Sequence, residues 1–264
     1  MSRRVLWLSL LAIMILVGGA SLRLWMAPPR KIAQTDAQLP APCRKLRFEA
    51  VDYIVCTIDM QRLDIQMSLN DEAGKPYRSL KRHDAIMAQK FRRPILSMNA
   101  GMYHEDVSAV GLLVEHGRET HPIELTDGEG NFFLKPNGVF SVGNDGTAAI
   151  SESSAYAAVP RNAAFATQSG PMLVINGALH PRFEPDGASR FIRNGVGVRD
   201  PNTVVLAISR QPVSFGSFAR LFRDELGCQN ALYFDGVVSA MTNGTEHVIG
   251  GGYPAGPILS VLEK

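Results

Sequence analysis

Ala231-Leu232-Tyr233-Phe234-Asp235-Gly236-Val237-Val238-Ser239-Ala240-Met241-Thr242 is the stretch on which the reading of this chain turns. Its first four residues form a short apolar run of the kind that makes a buried strand. The run ends in a carboxylate and a glycine, with a hydroxyl, Ser239, four residues beyond Asp235. A carboxylate at the tip of a buried strand is costly to desolvate unless it has partners or a task. Gly236 permits a sharp turn or a close approach. A structural Asp-Gly turn would explain this stretch taken alone. Three other stretches have the same build, an apolar run ending in a small cluster of Asn, Gly, Ser or Arg. They are Ile95 to Gly101 (ILSMNAG), Ala166 to Pro171 (ATQSGP) and Ser189 to Gly197 (SRFIRNGVG). The expectation is that Asn99, Ser169, Arg193 and Asp235 meet in one cleft.

Around these runs the pattern is mostly strand. Leu63 to Leu69 alternates as a half-buried antiparallel strand should, and Ala109 to Glu115 reads as another strand, turning at His116-Gly117. Hairpin signals stand at Gly143-Asn144-Asp145-Gly146, at Ser169-Gly170-Pro171, at Asn176-Gly177 and at Asp200-Pro201-Asn202. Phe191 to Arg199 and Thr203 to Ser209 flank the last of these, and Ile258 to Leu262 is a final apolar run. Two helices are legible. Ser79 to Phe91 places Leu80, Met87 and Phe91 on one face and is closed by Pro94. Ser217 to Leu226 carries the stripe Phe218, Leu221, Phe222 and Leu226, with Gly227 where a C-terminal cap belongs. Many strands, few helices and hairpin-type connections define an α+β class with a mixed, largely antiparallel sheet and a few packed helices.

The N-terminus is of another kind. Val5 to Leu22 holds no charge and follows Arg3 and Arg4, as in a secretory signal or a membrane anchor. Gly18-Gly19-Ala20 offers a cleavage point. The length of the run favours an uncleaved anchor in the inner membrane, with the arginines cytoplasmic and the body on the periplasmic or exported side. The division is residues 1–26 as signal peptide or anchor, 27–42 as a Pro-rich linker and 43–264 as a single domain. The formal charge of +2 is misleading, because five bases lie in the first 35 residues, which contain no acid. The body then carries 22 bases against 25 acids, a net of −3, which leaves no nucleic-acid footprint. In an exported protein Cys43 and Cys56 can staple the first strand, while Cys228 reads as a buried free thiol. No cysteine–histidine spacing marks a zinc site, and no cofactor motif is present.

Among chemistry-bearing residues, Asn99 and Gly101 end a buried strand and precede Tyr103-His104-Glu105-Asp106. A polar loop explains His104 and Asp106, while Asn99 and Glu105 suit function equally well. Arg190 and Arg193 precede Asn194-Gly195-Val196-Gly197. In a strand their spacing puts them on opposite faces, so only one can enter a given site. Arginine beside close-approach glycines suits an anionic oxygen group, and pairing with Glu184 or Asp186 is the structural alternative. Gln168-Ser169-Gly170 is not a hydrolase elbow, and the three glycines 250–252 do not form a phosphate loop.

Taken together, NAG at Asn99, QSGP at Gln168, RNGVGV at Arg193 and YFDG followed by Ser239 resemble the phosphodiester glycosidase family, and more closely a bacterial exported branch of it. The resemblance covers Leu46 to the C-terminus. Two places depart from the family pattern. Its NGGFF-like stretch is Asn99-Ala100-Gly101-Met102-Tyr103 here, and its DGGGS is Asp235-Gly236-Val237-Val238-Ser239. The resemblance implies hydrolysis at a sugar-1-phosphodiester with the sugar–oxygen bond broken. Arg193 would hold the phosphate, Asp235 would act as the carboxylate, and Glu105 would stand as a second carboxylate. Asn99, Gly101, Gln168, Ser169, Arg190, Asn194, Gly236 and Ser239 would bind a carbohydrate or sugar-phosphate substrate. The alternative is a non-catalytic glycan-binding or envelope-assembly module on the same fold, a view fed by Val237 and Val238.

Overall fold

The computed structural model of the chain describes residues 33–159 and 162–264. The apolar run from Val5 to Leu22, and with it the expected membrane segment, lies outside the described residues. Among those residues no helix is long and apolar enough to cross a membrane.

In chain order the elements begin with β1 (Cys43–Phe48), β2 (Val51–Asp59), β3 (Leu63–Ser68), α1 (Leu80–Gln89) and β4 (Leu96–Asn99). The hairpin β5 (Leu113–Glu115) and β6 (Arg118–His121) follows, then β7 (Gly138–Gly143), β8 (Ala148–Glu152) and the short α2 (Ser153–Ala157). The second half has β9 (Ala163–Ser169), β10 (Met172–Ile175), β11 (Ala178–Leu179), β12 (Asn194–Asp200) and β13 (Thr203–Ser209). It closes with α3 (Phe215–Arg220), β14 (Asn230–Asp235), β15 (Met241–Thr242), β16 (His247–Ile249) and β17 (Ile258–Glu263).

The strands form three sheets rather than one. A seven-stranded sheet runs β1-β2-β13-β12-β14-β10-β11. Two five-stranded sheets run β16-β15-β4-β17-β3 and β6-β5-β9-β7-β8. Every ladder is antiparallel. Among the described residues the single mixed sheet of the sequence reading is therefore replaced by three sheets without a parallel pair. Ser169-Gly170-Pro171 was expected as a hairpin turn. Instead β9 pairs with β5 and β7 while β10 pairs with β11 and β14, so this tripeptide carries the chain from one sheet to another.

The main core lies where inner faces meet. Leu232 and Phe234 of β14, Leu206 and Ile208 of β13, Met98 of β4, Leu259 of β17 and Phe140 of β7 belong to one buried cluster. Strand periodicity sends the intervening Tyr233 to the other face, where Tyr53, Val205, Phe218, Phe222 and Leu226 form a second cluster. That cluster is the seat of α3, whose final turn widens into a π turn over Leu221–Glu225. Ser214 caps its start, accepting from Ser217 N at 3.1 Å, and this moves the helix start two residues ahead of the expected Ser217. Gly227 follows in the left-handed region (φ +66°), as anticipated.

β12 alternates Gly195, Val196, Gly197, Val198, and the structure shows what approaches its glycines. A Cβ on Gly195 would lie 2.6 Å from Leu232 O, and one on Gly197 would lie 2.5 Å from Cys228 Sγ and 2.7 Å from Phe222 Cδ1. These glycines admit neighbouring strand and helix, not a ligand. The other expectations fared unevenly. Cys43 and Cys56 face each other across β1 and β2 and are bonded, and Cys228 is buried and free. Of Ala109 to Glu115, only the last three residues form a strand. Phe91 lies beyond the end of α1 and is 98% exposed. The buried face of α1 is Leu80, His83 and Asp84.

Candidate functional site

Four strand ends supply the residues. β4 stops at Asn99, β9 at Ser169 and β14 at Asp235, while β12 begins at Asn194, directly opposite Asp235 in the β12–β14 register. Asn194 Nδ2 donates to Asn99 O at 2.8 Å and to Asn99 Oδ1 at 3.0 Å. Asn99 Oδ1 also accepts from Ala240 N at 2.8 Å. The Ser239 hydroxyl stands within donating distance of Asp235 O at 3.0 Å and of Asn194 Oδ1 at 3.1 Å. Ser169 Oγ donates to Phe234 O at 3.4 Å, and Thr167 Oγ1 to Ala100 O at 2.8 Å. Buried polar groups need partners, and here these bonds satisfy all of them but one while tying three sheets together. Asn99 Nδ2 is buried and has no acceptor.

Asp235 is 9% exposed. Its Oδ1 accepts from Val237 N at 2.5 Å and Val238 N at 2.8 Å. Burial raises its pKa, against the lowering effect of those backbone N–H groups and of the Arg193 charge. The turn residues that depart from the family's glycines thus use their backbones to hold the carboxylate.

Arg193 is fully buried. Its Nε donates to Val213 O at 3.0 Å, and its Nη2 to Ser189 O at 2.9 Å and Ser189 Oγ at 3.2 Å. The guanidinium carbon lies 3.6 Å from the centroid of the Phe215 ring, with Tyr233 and Phe191 at 5.3 and 5.5 Å. Its partners are carbonyls, a hydroxyl and rings, with no carboxylate among them. Asp186, offered above as a structural partner, lies 3.9 Å from Arg220 instead. Nη1 has no acceptor at hydrogen-bonding geometry, although the Tyr233 hydroxyl stands close enough to steady the charge. Desolvation lowers the arginine's pKa. A Cβ at Gly236 would be 3.4 Å from Nη1 and 3.1 Å from Phe191 Cβ, and would collide with the Tyr233 hydroxyl. Glycine is what leaves room here.

The other expected site residues have different settings. Gln168 uses its whole amide within the protein. Its Oε1 accepts from Leu112 N at 3.0 Å and Glu124 N at 2.8 Å, and its Nε2 donates to Glu124 O at 2.6 Å and Ser153 Oγ at 3.0 Å. No capacity is left for a substrate. Gly101 is buried at φ +144°, where a Cβ would sit 3.0 Å from Thr167 Oγ1. Glu105 is exposed in the loop after Tyr103, and Arg190 is exposed ahead of β12. Arg190 lies in no strand, so the strand-face argument does not apply to it.

Sequence reasoning missed the residues that seat Arg193, namely Ser189, Val213, Phe215 and Tyr233. The signal available was Tyr233 itself, alternating with Phe234 in the run that ends at Asp235. It also missed Asp84 of α1. Asp84 Oδ1 accepts from Ser97 Oγ at 2.6 Å and lies 3.0 Å from His83 Nδ1, while Oδ2 accepts from Thr242 Oγ1 at 2.5 Å. This buried carboxylate clamps β4 to β15 just behind Asn99. Among the described residues no group of three or more His, Cys, Asp or Glu side chains could hold a metal ion.

The family model for phosphodiester glycosidases matches residues 92–252, more than half of the chain. The chain therefore belongs to the phosphodiester glycosidase family, a family of hydrolases. It is 37% identical over 169 residues to the Escherichia coli (strain K12) protein YigE, which is uncharacterized. That match covers 64% of this chain and 66% of the relative, just under two thirds of the relative's length. Among solved structures, the fold is similar to the catalytic domain of zebrafish N-acetylglucosamine-1-phosphodiester alpha-N-acetylglucosaminidase, auto-inhibited by its pro-peptide. The TM-score is 0.60 at 11% identity, over 89% of this chain and 88% of that one. A Burkholderia pseudomallei K96243 protein, named as a presumptive exported protein, has a TM-score of 0.53 at 12% identity, over 80% of this chain and 74% of that one.

Proposed function

We propose that this chain is an exported hydrolase that cleaves the sugar–oxygen bond of a sugar-1-phosphodiester or related glycosidic bond in envelope glycans. One observation carries the reading: a buried guanidinium hydrogen-bonded to no carboxylate, whose Nη1 has no acceptor. A desolvated cation of this kind suits an anionic oxygen group, and arginine's fork matches a phosphoryl group best. In this reading Arg193 holds the phosphoryl oxygens and neutralises charge on the departing phosphomonoester. Water attacks the anomeric carbon, the bond from that carbon to the phosphoryl oxygen breaks, and the water proton passes to Asp235. A carboxyl whose pKa is raised by burial is a better base than an exposed one. Asn99 Nδ2 is the donor left without a partner in the protein, and in this reading it would meet a sugar hydroxyl.

Export is supported by the Cys43–Cys56 bond, since such bonds persist in oxidising compartments, and by the name of the Burkholderia neighbour. An uncleaved N-terminal run would hold the domain at the inner membrane. Protease added to intact cells should spare the body and should cut it once the outer barrier is opened. The activity test follows sugar release from sugar-1-phosphodiesters by the purified protein and by Asp235→Asn. Hydrolysis by the wild type alone is the expected result. A wild type inert on such diesters that binds an envelope glycan as well as Asp235→Asn does would instead establish a binding module.

A further inference from the structure

Five large apolar side chains are exposed among the described residues: Phe91, Leu125, Val159, Phe191 and Val237. Scattered singly, such residues need no explanation. Two of them, however, flank Gly236 and the unpaired amine of Arg193. Phe191 is 39% exposed, its Cβ lies 3.1 Å from where a Gly236 Cβ would be, and its ring centroid is 5.5 Å from the guanidinium carbon. Val237 is 59% exposed and follows Gly236 directly. Neither is a loose loop residue. Phe191 is pinned by paired backbone hydrogen bonds with Val213, N to O at 3.2 Å and O from N at 2.8 Å. Val237 is held by its own N–H on Asp235 Oδ1. Both residues thus have fixed backbones next to Gly236 and leave apolar surface exposed, which water solvates poorly.

We infer that the phosphodiester taken at this site carries an apolar aglycone, an alkyl chain or aryl group, which lies against Phe191 and Val237. The inference rests on the function proposed above. A phosphodiester held at Arg193 has two substituents. The sugar requires polar partners and the reacting carboxylate, and those lie with Asp235 and Asn99. The second ester substituent is left to the apolar edge, where the Phe191 ring lies 5.5 Å from the guanidinium carbon. Valine at 237, where the family pattern has glycine, adds apolar area to that edge and none to the polar side. The departure at Val237 then marks a change of leaving group and not a loss of the site.

The test uses the full chain with two sugar-1-phosphodiesters that differ only in aglycone, methyl against octyl. In parallel, calorimetry compares ethyl phosphate with octyl phosphate, so that binding is read even without turnover. The expected result is a kcat/KM for the octyl diester at least about tenfold above that for the methyl diester, the discrimination one small apolar contact supplies. Octyl phosphate should bind tighter than ethyl phosphate by a similar factor. Phe191→Ser and Val237→Ser should each reduce both ratios, and the double variant should bring them close to unity. Phe91→Ser, on an exposed ring at the far end of α1, should leave both ratios unchanged. Equal values for the two aglycones, or a fall with Phe91→Ser as large as with Phe191→Ser, would overturn the inference while leaving the hydrolase reading intact. If neither diester is hydrolysed but octyl phosphate binds tighter in a Phe191-dependent way, the hydrolase reading falls and the apolar subsite stands. If neither is hydrolysed and the two phosphates bind alike, both fall.

Discussion

Replacing Arg193 by methionine separates a cation kept for a ligand from one kept for the fold. The guanidinium donates three hydrogen bonds, two of them to the backbone carbonyls of Val213 and Ser189. Stranding a buried acceptor costs roughly 1–3 kcal/mol, and a desolvated cation–π contact such as that with Phe215 is worth about 2 kcal/mol. On the other side, an ion removed from water, with the Asp235 charge near it but no carboxylate in hydrogen-bonding contact, suffers a penalty of several kcal/mol. That burial is what lowers the arginine's pKa. The opposing contributions are of similar size. Arg193→Met should therefore change the unfolding free energy by no more than about 2 kcal/mol in either direction. Hydrolysis of a sugar-1-phosphodiester should fall by about a hundredfold or more, as when a single charge-stabilising donor is removed. Arg193→Lys keeps the charge but lacks the fork, so it should stay within about tenfold of the methionine variant in kcat/KM. Urea unfolding and initial rates of sugar release measure the two quantities. A stability loss above about 4 kcal/mol in the methionine variant would match the breaking of a structural charge arrangement and would refute the reasoning. So would a methionine variant that hydrolyses within about threefold of wild type.

Asp235→Asn keeps both turn hydrogen bonds, so it should fold normally and lose turnover by about a hundredfold or more, measured by single-turnover hydrolysis. Burial raises the Asp235 pKa. The matching stability is therefore fully present below the unfolded carboxyl value near 4 and is lost as pH rises through the folded value. Urea titrations should accordingly show the variant equal to wild type at the acid end and more stable than wild type at neutral pH. The Cys228 thiol, pushed up to about 12 by burial, should resist iodoacetamide in the native protein and react on unfolding, as mass spectrometry would show. Reducing the Cys43–Cys56 bond, which closes a short loop across β1 and β2, should lower stability by roughly 2–4 kcal/mol in urea melts. Asp84→Ala strands the hydroxyls of Ser97 and Thr242 behind Asn99, and should cost about 3 kcal/mol or more by the same assay.

What the sequence made legible depended on the range of the interaction. The hairpins at 143–146, 176–177 and 200–202 are encoded by local turn chemistry, and each stands where expected. The number of sheets is not local. Ser169-Gly170-Pro171 looks like any other turn, and only the pairing of β10 with β14, some sixty residues away in the chain, makes it a crossing. The α1 face failed for a related reason. A buried His83 and Asp84 do the work of apolar residues once Ser97 and Thr242 satisfy them, and those partners arrive from distant strands. At the site, Asn99, Asn194, Asp235 and Ser239 were recognisable because strand-end polar clusters repeat. Their assignments were less secure. Asn194 is engaged with Asn99 and Ser239, and Gln168 is saturated by Leu112, Glu124 and Ser153, so both brace the fold at positions where substrate contacts were expected. Glu105 and Arg190 matched by residue type, but loops carry them to solvent.

Asn99, Ser169 and the Asn194–Asp235 pair belong to three different sheets, so the candidate site sits on a seam instead of on any one rigid layer. Their relative positions depend on how the sheets rest against one another through Met98, Phe140 and Leu232. A seam amplifies small tilts. A core substitution that leaves each sheet intact but shifts one by a fraction of an ångström would misalign the site long before it melted the protein. Under the proposed function, turnover would be a sensitive gauge of interior packing, and temperature or pressure should silence it ahead of any loss of secondary structure.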